Sequence, residues 1–203
     1  MKNSHTRRFE GDRLVLASHN RGKLAELRAL LDPLGISVLS AADAGLEAPD
    51  ETGETFEENA ALKARAAVEA TGQPALADDS GLSVDALGGA PGVYSARWAA
   101  PDGDHSPAIA RVERELGEQD GTARFVCVLA LAWPDGHVET ARGECHGRLV
   151  FPPRGEGGFG YDPIFVPEGA ERTFGEMGPD QKRAFSHRSH AMTAMMEKVF
   201  VPS

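Results

Sequence analysis

The sequence predicts an α/β protein with a mixed central sheet flanked by helices, and three observations carry that prediction. Short apolar runs at 13–17, 36–39 and 75–77 alternate with stretches of helical period, the pattern of strand–helix–strand units. Two longer apolar runs, 125–133 and 137–150, are separated only by Pro134-Asp135-Gly136, which favours a hairpin over a parallel crossover. The chain has 203 residues, 41% of them hydrophobic and 26% charged, enough to bury a sizeable core in one folded domain.

Residues 1–12 are polar and read as a flexible leader, which leaves 13–203 as the folded domain. The first strand, 13–17, runs into Ser18-His19-Asn20-Arg21-Gly22-Lys23, and Leu24, Leu27, Leu30 and Leu31 then form a helical stripe. Pro33 and Gly35 end that helix before a strand over 36–39. Thr55 and Glu58 have capping-box spacing, and the alanine-rich segment 59–70 predicts a helix, with Phe56, Ala60, Ala64 and Ala67 on one face. Gly72 and Pro74 close it, and a brief strand over 75–77 is expected to present Asp78, Asp79 and Ser80 at its C-terminal edge, where α/β proteins usually bind ligands. Gly81, Gly88, Gly89, Pro91 and Gly92 predict a shaped loop. Ser106-Pro107 has the form of an N-cap and N1 proline for a helix to Leu116. After the hairpin come a long loop, 151–162, a strand over 164–166 and a closing helix near 189–200. The Met192, Met195, Met196 and Val199 stripe of that helix reads as core or a subunit contact.

A formal charge of −10 argues against a stable nucleic-acid complex, because such a surface must supply many cations to the phosphates. A small anionic ligand held by local donors and a metal remains compatible with it. Cys127 and Cys145 are not at metal-ligand spacing and read as buried free thiols of a reducing compartment. No signal-type apolar stretch precedes Leu14 and no membrane span is visible, so a cytoplasmic protein without membrane attachment is expected.

Three clusters could carry chemistry. In Asp78-Asp79-Ser80-Gly81, neighbouring carboxylates on extended backbone point to opposite faces, so one faces a site while the other braces the chain. A strand-edge aspartate can hold magnesium or orient water; turn and cap residues are the other reading. Ser18 to Lys23 is either a connecting loop or an anion cradle in which helix-start N–H groups, the Asn20 amide and the Lys23 ammonium receive phosphate. Its glycine spacing matches neither a Walker loop nor a dinucleotide fingerprint. In the third cluster, the glycines of Gly157-Gly158-Phe159-Gly160-Tyr161-Asp162 let backbone approach a planar ligand. Phe159 or Tyr161 could stack on a base and Asp162 could bond its edge, while Lys182, His187 and Arg188 add cations and N–H donors. A glycine-rich turn and a basic helix start are the alternative. One or two of Asp50, Glu51, Glu54, Glu57 and Glu58 offer a further metal ligand, the rest reading as a solvated loop and helix cap, and Arg97-Trp98 after Tyr94 reads as either a specificity surface or a cation–aromatic pair.

Taken in order, Leu14 to Lys23, Glu51 to Ala60, Ala77 to Leu82, Gly88 to Arg97, Gly157 to Pro163 and Ser186-His187-Arg188 resemble the inosine triphosphate pyrophosphatase family. The likeness covers nearly the whole chain after the leader. It implies a homodimer with an elongated central sheet and two lobes with a substrate cleft between them. It also implies Mg2+-dependent hydrolysis of non-canonical purine nucleoside triphosphates (ITP, dITP, XTP) to monophosphate and pyrophosphate. By the same likeness Asp79 is the proton acceptor and a metal ligand, with Asp50 or Glu51 as a second ligand, and Ser80 touches substrate. Ser18 to Lys23 and Lys182 would hold phosphate, and Phe159 to Asp162 with His187 and Arg188 would form the base pocket. Many relatives have Thr-Gly-Asn where this chain has Ser18-His19-Asn20, and a histidine in that place would be costly if the backbone needed a positive φ. The rival expectations are a pyrophosphatase for modified pyrimidine or standard nucleotides, and a nucleotide-binding module without turnover.

Overall fold

A computed structural model describes residues 6–200. In chain order the elements are β1 (Arg13–Leu16), α1 (Arg21–Leu31), β2 (Ser37–Ser40), α2 (Phe56–Thr71), β3 (Ala75–Val84), α3 (Ser106–Leu116), β4 (Thr122–Ala132), β5 (Val138–Leu149), β6 (Phe165–Pro167), α4 (Pro179–Phe185) and α5 (His187–Met195). Single 3-10 turns punctuate the loops, and a π-helical turn, Met196–Phe200, follows α5. The sheet has six strands in the order β2-β1-β3-β4-β5-β6. β1 runs parallel to β2 and β3, β6 antiparallel to β5, and β4 and β5 are neighbours joined by the tight turn in which Gly136 N–H donates to Trp133 O at 3.0 Å. The sheet is therefore mixed, as the short Pro-Asp-Gly connection predicts.

The chain folds into two compact units, one of residues 1–79, 128–143 and 191–203 and the other of residues 80–127 and 144–190. In the first, Val15, Ala67 and Ala75 are buried together with Ala17, Leu39 and Val68 around them, so the small face of α2 packs close to strands as its alanines predict. Met192, Met195 and Val199 are fully buried, which makes their stripe core. Arg7 forms an ion pair with Asp135, and Phe9 N–H donates to Val199 O at 2.9 Å, so part of the expected leader is bonded to this unit. Lys2, His5 and the rest of residues 1–5 lie outside the described residues. The second unit closes around Leu82, Val112, Phe125, Ile164, Phe165 and Phe174.

Three elements differ from expectation. β3 does not stop at Ala77 but continues through Asp78, Asp79, Ser80 and Gly81 to Val84, because lysines neutralise both carboxylates and Ser95 Oγ accepts from Leu82 N–H at 2.9 Å. Gly81 is obligatory there, since a Cβ would collide with Gly92 O and the Ser95 side chain. α2 begins at Phe56, directly after its capping box, in which Glu58 N–H donates to Thr55 Oγ1 and Thr55 N–H to Glu58 Oε2, both at 3.2 Å. The closing helix begins at His187 and is preceded by α4, a separate short helix that starts at Pro179. Cys127 and Cys145 are buried free thiols, and burial pushes the Cys145 thiol up to about 12. Among the described residues no helix is long and apolar enough to cross a membrane.

Candidate active site

In the first unit, β1 delivers a buried Ser18 to the start of α1. Asn20 is the N-cap, its side chain accepting from Lys23 N–H at 3.0 Å, and the first turn of α1 holds no acidic residue. A first turn without an acidic residue of its own leaves the positive end of the helix receptive to an anion. His19 is exposed, with Nε2 at 2.7 Å from Leu46 O. No non-glycine residue among those described has a positive φ, so His19 carries no left-handed strain. Arg21 is exposed beside half-buried Gly22.

The two aspartates of β3 do point apart, and each meets a different lysine. Lys23 Nζ lies 3.0 Å from Asp78 Oδ2, while Lys63 Nζ lies 3.1 Å from Asp79 Oδ1 and 2.6 Å from Glu51 Oε1. Burial alone would lower the Lys63 ammonium, but the charges of Asp79, Asp78 and Glu51 outweigh it and hold the group above its usual range. Asp79 is only 4% exposed, and desolvation pushes its carboxyl up despite Lys63 and Lys23. Its Oδ2 is buried with no hydrogen-bond partner among the described residues. An orphaned, desolvated carboxylate oxygen is a suitable ligand for a hard cation, and magnesium takes one or two protein carboxylates together with phosphate oxygens and water. No group of three His, Cys, Asp or Glu side chains converges on a metal-sized site among the described residues. Glu51 reaches this cluster through Lys63, whereas Asp50 is exposed. The loop before α2 is held by buried Asn59, whose Oδ1 accepts from Gly53 N–H at 2.8 Å.

In the second unit, Asp162 is the organiser. Its buried Oδ2 accepts from Lys182 Nζ at 2.7 Å and from Phe159 N–H at 2.8 Å. Gly158 is required for this turn: its φ is +72°, and a Cβ would strike the Asp162 carboxylate. Gly160, at φ +67°, completes the turn. Lys182 Nζ stands 4.5 Å from the Phe159 ring centroid and the Arg188 guanidinium 5.7 Å, so both cations border one aromatic ring. Lys182, expected to hold phosphate, is thus placed with Asp162 and Phe159. Arg188 Nη2 donates to Ser80 Oγ at 3.1 Å, and His187 stacks on Phe125 with centroids 4.8 Å apart and planes 13° from parallel.

One expectation is corrected. Tyr161 does not offer its ring to a ligand: it is 3% exposed, its hydroxyl donates to Ser95 O at 2.8 Å, and burial pushes its phenol above the usual range. Asp162 spends its described bonds on Lys182 and the Phe159 turn rather than standing open. Arg97 lies over Tyr94 at 5.0 Å and Arg111 over Trp98 at 3.6 Å, which resolves that segment into cation–aromatic pairs.

Lys63, Asn59 and Phe125 are the participants that sequence reading missed. Lys63 and Asn59 sit beside the alanine stripe of α2 and pass for helix-surface residues. The usable signal was a lysine one residue before Ala64 on a face otherwise made of small residues.

The sequence profile described as the Ham1 family matches residues 14–198. The chain is 57% identical to a dITP/XTP pyrophosphatase of Rhodospirillum centenum over 96% of its length and 98% of that protein's. It is also 57% identical to a dITP/XTP pyrophosphatase of Gluconobacter oxydans, over 92% of this chain and 90% of the relative. Its fold matches the HAM1 protein of Coxiella burnetii with a TM-score of 0.83 at 41% identity, covering 91% of this chain and 96% of that one.

Proposed function

The chain belongs to the Ham1 family, and from that premise we infer that it is a nucleoside triphosphate pyrophosphatase that hydrolyses the purine triphosphates ITP, dITP and XTP to monophosphate and pyrophosphate. The observation that carries the reading is Asp79, a carboxylate 4% exposed and pushed up by burial, with one oxygen on Lys63 and the other without a hydrogen-bond partner among the described residues. Such a group can orient a water and take its proton as the water attacks the α-phosphorus, while pyrophosphate departs. No covalent nucleophile is needed. Magnesium, held by Asp79 and Glu51, would supply positive charge to the phosphate oxygens when bound. Asn20, Lys23 and the first-turn N–H groups of α1 would bind the triphosphate, and Ser18 and Arg21 would border it.

The second unit offers mainly N–H donors, from Lys182, His187 and Arg188, with Phe159 as a stacking face and Ser80 positioned by Arg188. A 6-keto oxygen accepts from such donors; the 6-amino group of adenine would set donor against donor. That asymmetry supports selection of hypoxanthine and xanthine. The functional form is a cytoplasmic homodimer that makes no stable nucleic-acid complex, in keeping with a charge of −10.

The test is initial-rate hydrolysis of ITP, dITP, XTP, GTP, ATP and a modified pyrimidine triphosphate, with and without magnesium, with monophosphate, pyrophosphate and orthophosphate separated. Magnesium-dependent pyrophosphate release, fastest with ITP, dITP and XTP, is expected. Preference for a pyrimidine or for ATP, or binding without turnover, would replace this reading.

A further inference from the structure

Lys63 holds an unusual position in the first unit. Its ammonium lies between Glu51 Oε1 at 2.6 Å and Asp79 Oδ1 at 3.1 Å, with 13% of its side chain exposed. These carboxylates are the two that the proposed magnesium would need, so the ammonium stands where a cation is wanted. One ammonium offsets half the charge of the pair, whereas a divalent cation offsets all of it. The fit is also incomplete, since Asp79 Oδ2 keeps no hydrogen-bond partner among the described residues in a place from which water is excluded. Lys63 therefore balances charge and bonds one oxygen of each carboxylate while leaving Asp79 Oδ2 unsatisfied among the described residues, as a temporary counter-ion would.

We propose that Lys63 is an exchangeable counter-ion: it bridges Glu51 and Asp79 before the metal arrives, yields both carboxylates to the divalent cation, and turns its ammonium to the phosphates of the nucleotide. The proposal rests on the metal-assisted reading above. It makes metal and nucleotide mutually reinforcing, because each favours the state in which Lys63 has left the carboxylates. It also separates this residue from Lys23, whose ammonium lies 3.0 Å from Asp78 Oδ2, whereas that of Lys63 lies on Asp79 and Glu51.

The test measures Mn2+ binding alone, by electron paramagnetic resonance, on the intact protein without nucleotide. Lys63→Met removes the competitor and is expected to bind Mn2+ about tenfold more tightly than the parent, roughly the 1.4 kcal/mol of a modest competing ion pair. Unchanged or weaker binding, or no binding to either protein, overturns the proposal. If Lys63→Met does not fold, the parent decides. Lys2, Lys23, Lys63, Lys182 and Lys198 are the lysines of the sequence, so side-chain 15N spectra are sparse, and Lys63→Arg identifies the Lys63 signal. That signal is expected to move on Mg2+ addition; a Lys63 signal unmoved at saturating Mg2+ overturns the proposal. These readouts involve no hydrolysis, so a failed nucleotide panel with a positive Mn2+ result would remove the assigned reaction and leave the exchange standing.

Discussion

The two polar clusters are electrostatic opposites. In the first unit, three carboxylates, Asp78, Asp79 and Glu51, share the ammonium groups of Lys23 and Lys63, and an oxygen of Asp79 has no hydrogen bond among the described residues. In the second, Asp162 faces Lys182, with Arg188 and His187 close behind it in the chain and Arg188 and Lys182 both bordering Phe159. A cluster with surplus carboxylate invites a cation, and one with surplus N–H donors invites a ligand rich in acceptors.

The sharpest way to break this contrast is to neutralise the acidic cluster at its centre. Asp79→Asn should lower kcat on the order of 10³-fold while nucleotide binding, read by calorimetry, changes only a few-fold. Equal turnover at saturating magnesium and substrate would remove Asp79 from the chemistry. The next effect concerns folding rather than turnover. Lys182 and Asp162 have side chains only 7% and 3% exposed, so Lys182→Met strands a buried carboxylate and should cost about 3 kcal/mol in denaturant unfolding. Adding Asp162→Asn should recover part of that loss, because the stranded charge goes with it; no recovery would show that the two residues act independently. The smallest expected change is in selectivity. His187→Ala should reduce the ITP to ATP ratio of kcat/KM about tenfold with the fold intact by circular dichroism. A proportional loss for both nucleotides would assign His187 only its stacking role on Phe125.

Local chemistry explains which parts were legible before the fold was known. The α2 capping box, the Pro-Asp-Gly hairpin and the opposed directions of Asp78 and Asp79 depend on spacing within a few residues, and each stands as read. The full length of β3 is not legible locally, because two adjacent aspartates discourage strand assignment until lysines from elsewhere neutralise them. The burial of Tyr161 is not legible locally either, because nothing near it in sequence reveals that Ser95, 66 residues away, takes its hydroxyl. Lys63 was missed for the same kind of reason: its partners, Glu51 and Asp79, lie 12 and 16 residues away on a loop and a strand.

The sequence by itself determined the α/β class, the family and which residue types supply carboxylates, donors and aromatic faces, because short-range spacing and ordered motifs are properties of the chain. Only the tertiary structure decided how those groups are paired: Lys63 between Glu51 and Asp79, Lys182 on Asp162, Arg188 on Ser80 and Tyr161 in the core. The physical reason is that charge compensation and desolvation depend on distance and burial in space, which residues far apart in the chain acquire only when it folds.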